Sequence, residues 1–519
     1  MSLGRAYAVG LVGLEGRIVE VEADIGQSLP AFVLLGLPDA ALNEARDRVR
    51  SAARNSGLPL SRRKLTVNLM PADLHKRGSG FDLAIVMAAL AAAGDLPDPG
   101  RTVFIGELGL NGRLQPVRGV LPSVMAAVAE GFTRVVVSSR NREEAELVPG
   151  CQIRGYDCLA EVARAFGADP AGLLYPKPLP ATATTAGQTP LAASQAQGPA
   201  GQKDLADIAG QHEARFAVEV AAAGGHHLLL TGPPGAGKTM LAERLPGILP
   251  DLDDAQAMEV TAIHSLDGRA ACNSLLRRPP FEAPHHGASM ASVIGGGSGM
   301  PRPGAASRAH RGVLFLDEAP EYERRVLDAL RQPLESGRLV LHRSAGTAVY
   351  PARFQLVLAA NPCPCGKGGG RGRDCTCTSL QCRRYFSRLS GPLLDRVDIQ
   401  LGVERVGLRE LADPGAAETS RDVAARVAAA RERQQNRLAP WGSASNAEVT
   451  GAVLRGKLRP PGGVLSVVDR ALDNGALTAR GYDRVLRLAW TVADLAGHEM
   501  PDADDVGQAL SLRQQVRTP

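Results

Sequence analysis

The sequence predicts an α/β protein made of two successive α/β units and a helical C-terminal unit, and three observations carry that prediction. Residues from about Tyr7 to Gly167 alternate strand-like and helix-like runs. A buried-type apolar run, His227 to Thr231, leads into a glycine-rich loop and then a helical stretch. Beyond Arg405 the apolar pattern has helical spacing throughout. At about 150 residues per domain, a length of 519 residues suggests three to four domains, and a hydrophobic fraction of 44% supplies several cores.

The first unit, residues 1–167, has strand signals at Arg17 to Val21, Ala31 to Leu35, Leu65 to Leu69, Thr102 to Ile105 and Arg134 to Val137. Helix signals lie at Ala40 to Ser56, Phe81 to Ala93 and Leu121 to Glu130. Residues 168–203 turn to Pro, Ala, Thr, Gln and Gly with almost no charge. Such a stretch cannot bury enough surface to fold alone and reads as a linker. In the second unit, residues 204–404, Met240 to Leu249 continue the helix after the glycine loop, and Val313 to Leu316 and Phe354 to Ala359 have the apolar character of central parallel strands. The last unit, residues 405–519, carries helical patterns at Arg421 to Leu438, Ala447 to Leu454, Gly463 to Asn474, Thr478 to Leu495 and Ala503 to Gln514. Short turns between them predict a small bundle or lid.

No apolar run reaches the roughly 18–20 residues of a membrane span, and the N-terminus lacks a signal-peptide pattern, so no membrane partner and a cytoplasmic location are expected. Eight cysteines in 519 residues do not make a disulfide scaffold, and Cys151, Cys158 and Cys272 read as packed thiols. A net charge of +5 permits nucleic-acid contact without demanding it.

The second unit holds the chemistry. Gly232-Pro233-Pro234-Gly235-Ala236-Gly237-Lys238-Thr239 is a complete G-x-x-x-x-G-K-[ST] loop between a strand and a helix. Its glycines let the backbone wrap a phosphate, and N–H groups at the helix start bind the anion. Lys238 is expected to reach the β- and γ-phosphates of ATP, and the Thr239 hydroxyl to sit on Mg²⁺. Downstream, Gly312-Val313-Leu314-Phe315-Leu316-Asp317-Glu318 is an apolar strand ending in a carboxylate pair. Asp317 would hold Mg²⁺ through water and Glu318 would act as general base on the attacking water. Either acid alone also fits a solvated strand end, but the pair after a phosphate loop is a strong signal. The next strand ends at Asn361, which fits both a group orienting the lytic water and an ordinary cap before Pro362.

The phosphate loop, the Asp317-Glu318 pair and Asn361, in this order, resemble an AAA+ ATPase. Pro280-Phe281-Glu282-Ala283-Pro284-His285-His286, Gly295-Gly296-Gly297-Ser298, Pro301-Arg302-Pro303-Gly304, Leu334-Glu335-Ser336-Gly337, Asn361-Pro362-Cys363-Pro364-Cys365-Gly366 and the run Arg388 to Asp398 resemble the magnesium-chelatase-like ComM/YifB family over nearly the whole chain. That resemblance implies a sensor role for Asn361, an arginine finger at Arg396 reaching the neighbouring subunit's ATP, and a lid sensor arginine at Arg480, with Arg388, Arg484 and Arg487 as further candidates. A finger acting in trans implies a ring, so a homo-hexamer is expected. Asp207 to Gln211 resemble the segment that cups adenine.

Residues Lys76 to Leu83 and Gly106 to Gly119 resemble the peptidase domain of the Lon family, which uses a Ser–Lys dyad. Gly80 falls at the nucleophile position and Leu121 at the lysine position, while Ser79 and Lys76 are out of register, so peptidase activity is not expected. The unit reads as a scaffold forming a second tier on the ring.

Cys363, Cys365, Cys375 and Cys377, followed by Cys382, offer thiolates in one glycine-rich loop. Zn²⁺ wants four such ligands, although C-x₂-C is the commoner spacing, so zinc and unligated thiols both fit. The loop also carries Lys367, Arg371, Arg373, Arg383, Arg384 and Arg388 against Asp374, and the hairpin-like stretch Gly337 to Val349 carries Arg338 and Arg343. These charges can line a pore that holds a phosphate backbone without reading sequence, or pair across subunits. The resemblance implies an ATP- and Mg²⁺-dependent helicase or branch-migration motor on single-stranded or branched DNA, working with recombination proteins in natural transformation. A chelatase-type ATPase driving metal insertion with a partner subunit, and a protein-remodelling or regulatory factor, are the alternatives.

Overall fold

The computed structural model describes residues 3–26, 29, 31–36, 39–60, 64–71, 79–177, 203–268, 273–297, 301–343, 346–368, 375–407 and 418–513. The N-terminal sheet contains β1 (Gly4–Val12), β2 (Glu15–Gly26), β3 (Phe32–Leu35), β4 (Lys64–Met70), β5 (Val103–Ile105), β6 (Arg134–Ser138) and β7 (Gln152–Tyr156) in the order β3-β4-β2-β1-β5-β6-β7. Pairings β1–β2 and β2–β4 are antiparallel, and the others are parallel. Because strand side chains alternate between faces, Ala6 and Ala8 pack with α1 (Asp39–Asn55), α2 (Asp82–Ala93) and α4 (Leu159–Ala165), while Tyr7 and Val9 pack with α3 (Val120–Ala129). The sequence reading missed β1, and the reason is steric. A Cβ on Gly4 would lie 2.1 Å from the Ala88 carbonyl of α2, so the close strand–helix contact selects small residues, which carry little strand signal.

The second sheet is wholly parallel, with β8 (Leu228–Thr231), β9 (Phe281–Glu282), β10 (Val313–Leu316), β13 (Gln355–Ala360) and β14 (Ile399–Gly402) in the order β9-β10-β13-β8-β14. An antiparallel hairpin, β11 (Arg338–Arg343) with β12 (Gly346–Pro351), stands apart from it. Helix α5 (His212–Gly224) precedes β8, and α6 (Lys238–Arg244) follows the glycine loop. The predicted continuation of α6 to Leu249 is not seen. A short 3-10 turn, Leu245–Gly247, replaces it because Pro246 has no N–H for the helical ladder.

Helices α9 (Ser420–Leu438), α10 (Ser466–Asp473), α11 (Ala479–Ala496) and α12 (Ala503–Ser511) form the C-terminal lid. The expected helix from Ala447 to Leu454 is shorter, Gly451–Arg455. The lid shares one apolar core with the parallel sheet, where Val485, Leu488 and Val492 join Leu228, Leu230 and Ile399. A buried polar chain crosses the same junction. His226 Nδ1 lies 3.1 Å from Asp398 Oδ2, His226 Nε2 lies 2.7 Å from Thr491 Oγ1, and Asn446 Nδ2 donates to Thr491 at 3.0 Å and to Asp494 at 2.8 Å. Burying so many polar groups is tolerable only because they satisfy one another.

The N-terminal unit also packs on the second unit through α7 (Asp254–Asp267). Ala262 enters the core around α3, and the Gly119 N–H donates to the Ser265 carbonyl at 3.2 Å. Residues 168–177, at the start of the expected linker, lie on the first unit, with the Leu174 N–H donating to the Ser56 carbonyl at 2.9 Å, while residues 178–202 lie outside the described residues.

His227, at the entry to β8, accepts a 3.0 Å hydrogen bond from the Leu356 N–H at Nδ1, which requires an unprotonated nitrogen. Burial pushes its pKa down to about 4, against the opposing pull of Asp398. The stability this contributes is therefore present above the unfolded-state value of about 6.5 and is lost as pH falls toward about 4, a change on the order of 2–3 kcal/mol. His227→Gln should show a smaller drop in thermal midpoint between those pH values than the parent protein. An equal drop would contradict this account.

Candidate nucleotide site

Strand β8 lies between β13 and β14, so the loop leaving it emerges at the carboxyl edge of the sheet, where open α/β sheets bind ligands. Gly232 allows this because a Cβ there would lie 2.1 Å from the Val403 carbonyl beyond β14. Gly235 and Gly237 have φ of +78° and +90°, the left-handed region that turns the backbone into α6. Pro233, Pro234 and Ala236 fill the loop between them, and Gln211 Nε2 donates to the Ala236 carbonyl at 3.2 Å and to the Glu404 carbonyl at 2.5 Å. The Asp207 to Gln211 segment is thereby tied to the phosphate loop, with Asp207 also accepting from Arg244 at 2.8 Å.

Lys238 Nζ is buried over this loop and donates to the carbonyls of Gly232 at 2.6 Å and Pro233 at 3.0 Å and to Asn361 Oδ1 at 3.2 Å. Burial lowers its pKa, while Asp317 and Glu318 pull it back up. The Thr239 hydroxyl donates to Asp317 Oδ2 at 2.8 Å, and Asp317 Oδ1 accepts the Glu318 N–H at 2.9 Å. A hydroxyl and a carboxylate side by side at the end of β10 form the donor set Mg²⁺ takes in phosphate loops, so these residues fit the ion and ATP. Glu318 has φ of +50°, rare for a residue with a Cβ, and such conformations cost about 1–3 kcal/mol. Its Oε2 lies 3.2 Å from Nδ1 of His286, which follows the neighbouring strand β9.

Lys238, Thr239, Asp317, Glu318 and Asn361 thus come together, whereas Arg396 and Arg480 do not join them. Arg396 is held by Glu335 and by the Pro392 carbonyl. Its pKa is lowered by burial first, then by Arg331, Arg480 and Arg484. Arg480 Nη1 lies 3.2 Å from Asp395 Oδ2, one residue before Arg396. Arg484 reaches Asp398 at 3.5 Å, Arg487 donates to the Val449 carbonyl at 3.0 Å, and Arg388 donates to the Pro320 carbonyl at 3.0 Å. His286 was missed as a functional group, and its only signal was its place in the string Pro280 to His286.

In the N-terminal unit, Gly80 precedes α2 and brings no hydroxyl, and Leu121 is fully buried in α3, so neither member of a Ser–Lys dyad is present at those positions. Lys76 lies outside the described residues. Sγ atoms of Cys363, Cys365, Cys375 and Cys377 all lie within 4.8 Å of one another. Arg371, Arg373 and Asp374 lie outside the described residues, while Arg338, Arg343, Arg383 and Arg384 are exposed.

The family described as magnesium chelatase, subunit ChlI, matches residues 204–411, and its C-terminal counterpart matches residues 417–513. A Haemophilus influenzae protein named competence protein ComM is 38% identical over 522 residues, covering 100% of this chain and 98% of its own. The chain belongs to the magnesium-chelatase-like ComM/YifB family of AAA+ ATPases. YifB of Escherichia coli is 39% identical over 523 residues, covering 99% of this chain and 97% of its own, and an uncharacterized Mycobacterium tuberculosis protein is 51% identical over 519 residues, covering 99% of each. A further ChlI description matches residues 21–141, inside the N-terminal unit. Among the described residues no helix is long and apolar enough to cross a membrane.

Proposed function

We propose that this chain is the subunit of a cytoplasmic homo-hexameric motor that hydrolyses Mg²⁺-ATP to move single-stranded or branched DNA, as helicase or branch-migration factor, in homologous recombination during natural transformation. The observation that carries the ring is the separation of two half-sites in one chain. Lys238, Thr239, Asp317, Glu318 and Asn361 gather at the phosphate loop, and Arg396 and Arg480 form a basic group elsewhere. A subunit built this way needs a neighbour to complete its site. Within the site, the loop backbone and Lys238 hold the β- and γ-phosphates, Thr239 and Asp317 hold Mg²⁺, and Asn361 orients the attacking water. Glu318 takes its proton once the carboxylate leaves His286. Arg396 of the adjacent copy stabilises charge on the transferring phosphoryl group, and Arg480 acts as the lid's sensor. Residues 1–167, with 168–177 lying on them, serve as the upper tier, 178–203 as linker, 204–404 as the motor and 405–519 as the lid.

Exposed Arg338 and Arg343 on the hairpin, with Arg383 and Arg384 on α8 (Ser379–Phe386), support a grip on phosphates. An aromatic content of 4% offers few stacking platforms, so the grip is mainly electrostatic. The ChlI matches favour a second reading, an ATPase driving metal insertion with a partner subunit. Incubating the protein with ATP and a synthetic branched DNA discriminates them. The motor reading expects ATP-dependent movement of the branch that Lys238→Ala abolishes, and no movement on any branched substrate leaves the chelatase reading.

A further inference from the structure

Outside the phosphate loop, the described residues bring four thiols into one cluster. Cys363 Sγ lies 3.2 Å from Cys365 Sγ and 3.6 Å from Cys375 Sγ, and Cys365 and Cys375 are 3.7 Å apart. Thiolates bound tetrahedrally to one ion at about 2.3 Å stand about 3.8 Å from each other, so these separations, with Cys377 Sγ within 4.8 Å of the other three, are close to those of a single four-coordinate metal. The Gly368 N–H also donates to Cys363 Sγ at 3.1 Å, the kind of outer hydrogen bond that settles a ligating thiolate. Two ligands precede residues 369–374 and two follow them, so an ion here would close a loop.

The location gives that closure a consequence. Fully buried Cys363 stands two residues beyond Asn361, whose amide receives the Lys238 hydrogen bond. Gly366, with φ of +72°, packs on the phosphate loop so closely that a Cβ would meet Pro234 Cγ at 2.8 Å. One short stretch therefore touches the nucleotide loop, supplies Asn361 and carries two of the thiols.

We propose that Cys363, Cys365, Cys375 and Cys377 bind one Zn²⁺ ion, and that this ion fixes Asn361 and Pro234 in the geometry the nucleotide site requires. Soft thiolates in a tetrahedral set select zinc, and with all positions taken by protein the ion is structural, with no open position for water. The first half of the proposal is independent of the motor reading. The second rests on the ATPase assignment alone and holds for a DNA motor and a chelatase alike.

The test uses full-length protein expressed with added zinc. Metal analysis should find about one zinc per chain, lost in the double variant Cys375→Ser/Cys377→Ser and kept in Cys151→Ser. The same double variant, in which Asn361 and Lys238 are intact, should lose kcat for ATP by about tenfold or more with a smaller change in KM. Cobalt-substituted parent protein should show the visible bands of tetrahedral thiolate coordination, a readout that stands if the variant fails to fold. Parent protein without zinc and without those cobalt bands overturns the site. A well-folded, zinc-free variant with unchanged kcat overturns the link to the nucleotide, and an inactive but zinc-loaded parent protein would instead count against the ATPase assignment.

Discussion

Replacing Arg396 by Ala is expected to lower the ATPase rate by about 10³-fold or more, the scale on which arginine fingers act. Within its own chain Arg396 is bonded to Glu335 and Pro392, in a cluster with Arg331, Arg480 and Arg484, and among the described residues none of its bonds is to the phosphate loop. On the ring reading its effect comes through a neighbour. Subunit mixing separates this from a structural defect. Arg396→Ala keeps an intact phosphate loop, and Lys238→Ala keeps an intact finger, so mixed rings should regain activity that neither variant has alone. Absence of rescue, with both proteins folded and assembling, would show that Arg396 acts within its own subunit or only on stability. Arg396→Lys should not restore the rate, because an ammonium lacks the planar fork that spans phosphoryl oxygens.

Glu318→Gln is the second large effect, an expected loss of about 10²–10⁴-fold in kcat with ATP binding retained. The amide keeps the size of the side chain and its place after Asp317 but cannot accept the proton of the attacking water. Nucleotide binding measured on the variant should match the parent within a few fold. A variant that still turns over at a rate near the parent's would remove Glu318 as the base and direct attention to Asp317. His286, 3.2 Å from the Glu318 carboxylate, is the group that competes for it.

The sequence exposed the nucleotide site because its chemistry is local. A glycine loop, a carboxylate pair and an amide each follow an apolar strand, and the parallel sheet brings the strand ends β8, β10 and β13 to one edge. What depends on distant packing was less visible. Strand β1 was hidden by the small residues that fit against α2, and β14 had too short an apolar run to stand out. The buried chain from Asp398 through His226 to Thr491 unites residues far apart in sequence, and no spacing rule connects them. Arg480 was legible only through resemblance, and its partner Asp395 could not be named before the lid was placed against the sheet. The cysteines are intermediate, since their spacing suggested a metal but only their mutual distances distinguish a gathered set from scattered thiols.

The central claim, an ATPase ring driven against DNA, is tested most directly by the ATP hydrolysis rate with and without single-stranded and forked DNA as salt rises from about 50 to about 200 mM. DNA should raise the rate of the parent protein, salt should remove the stimulation, and Lys238→Ala and Arg396→Ala should be inactive throughout. A parent protein that hydrolyses ATP at the same rate with and without DNA at every salt concentration would contradict it.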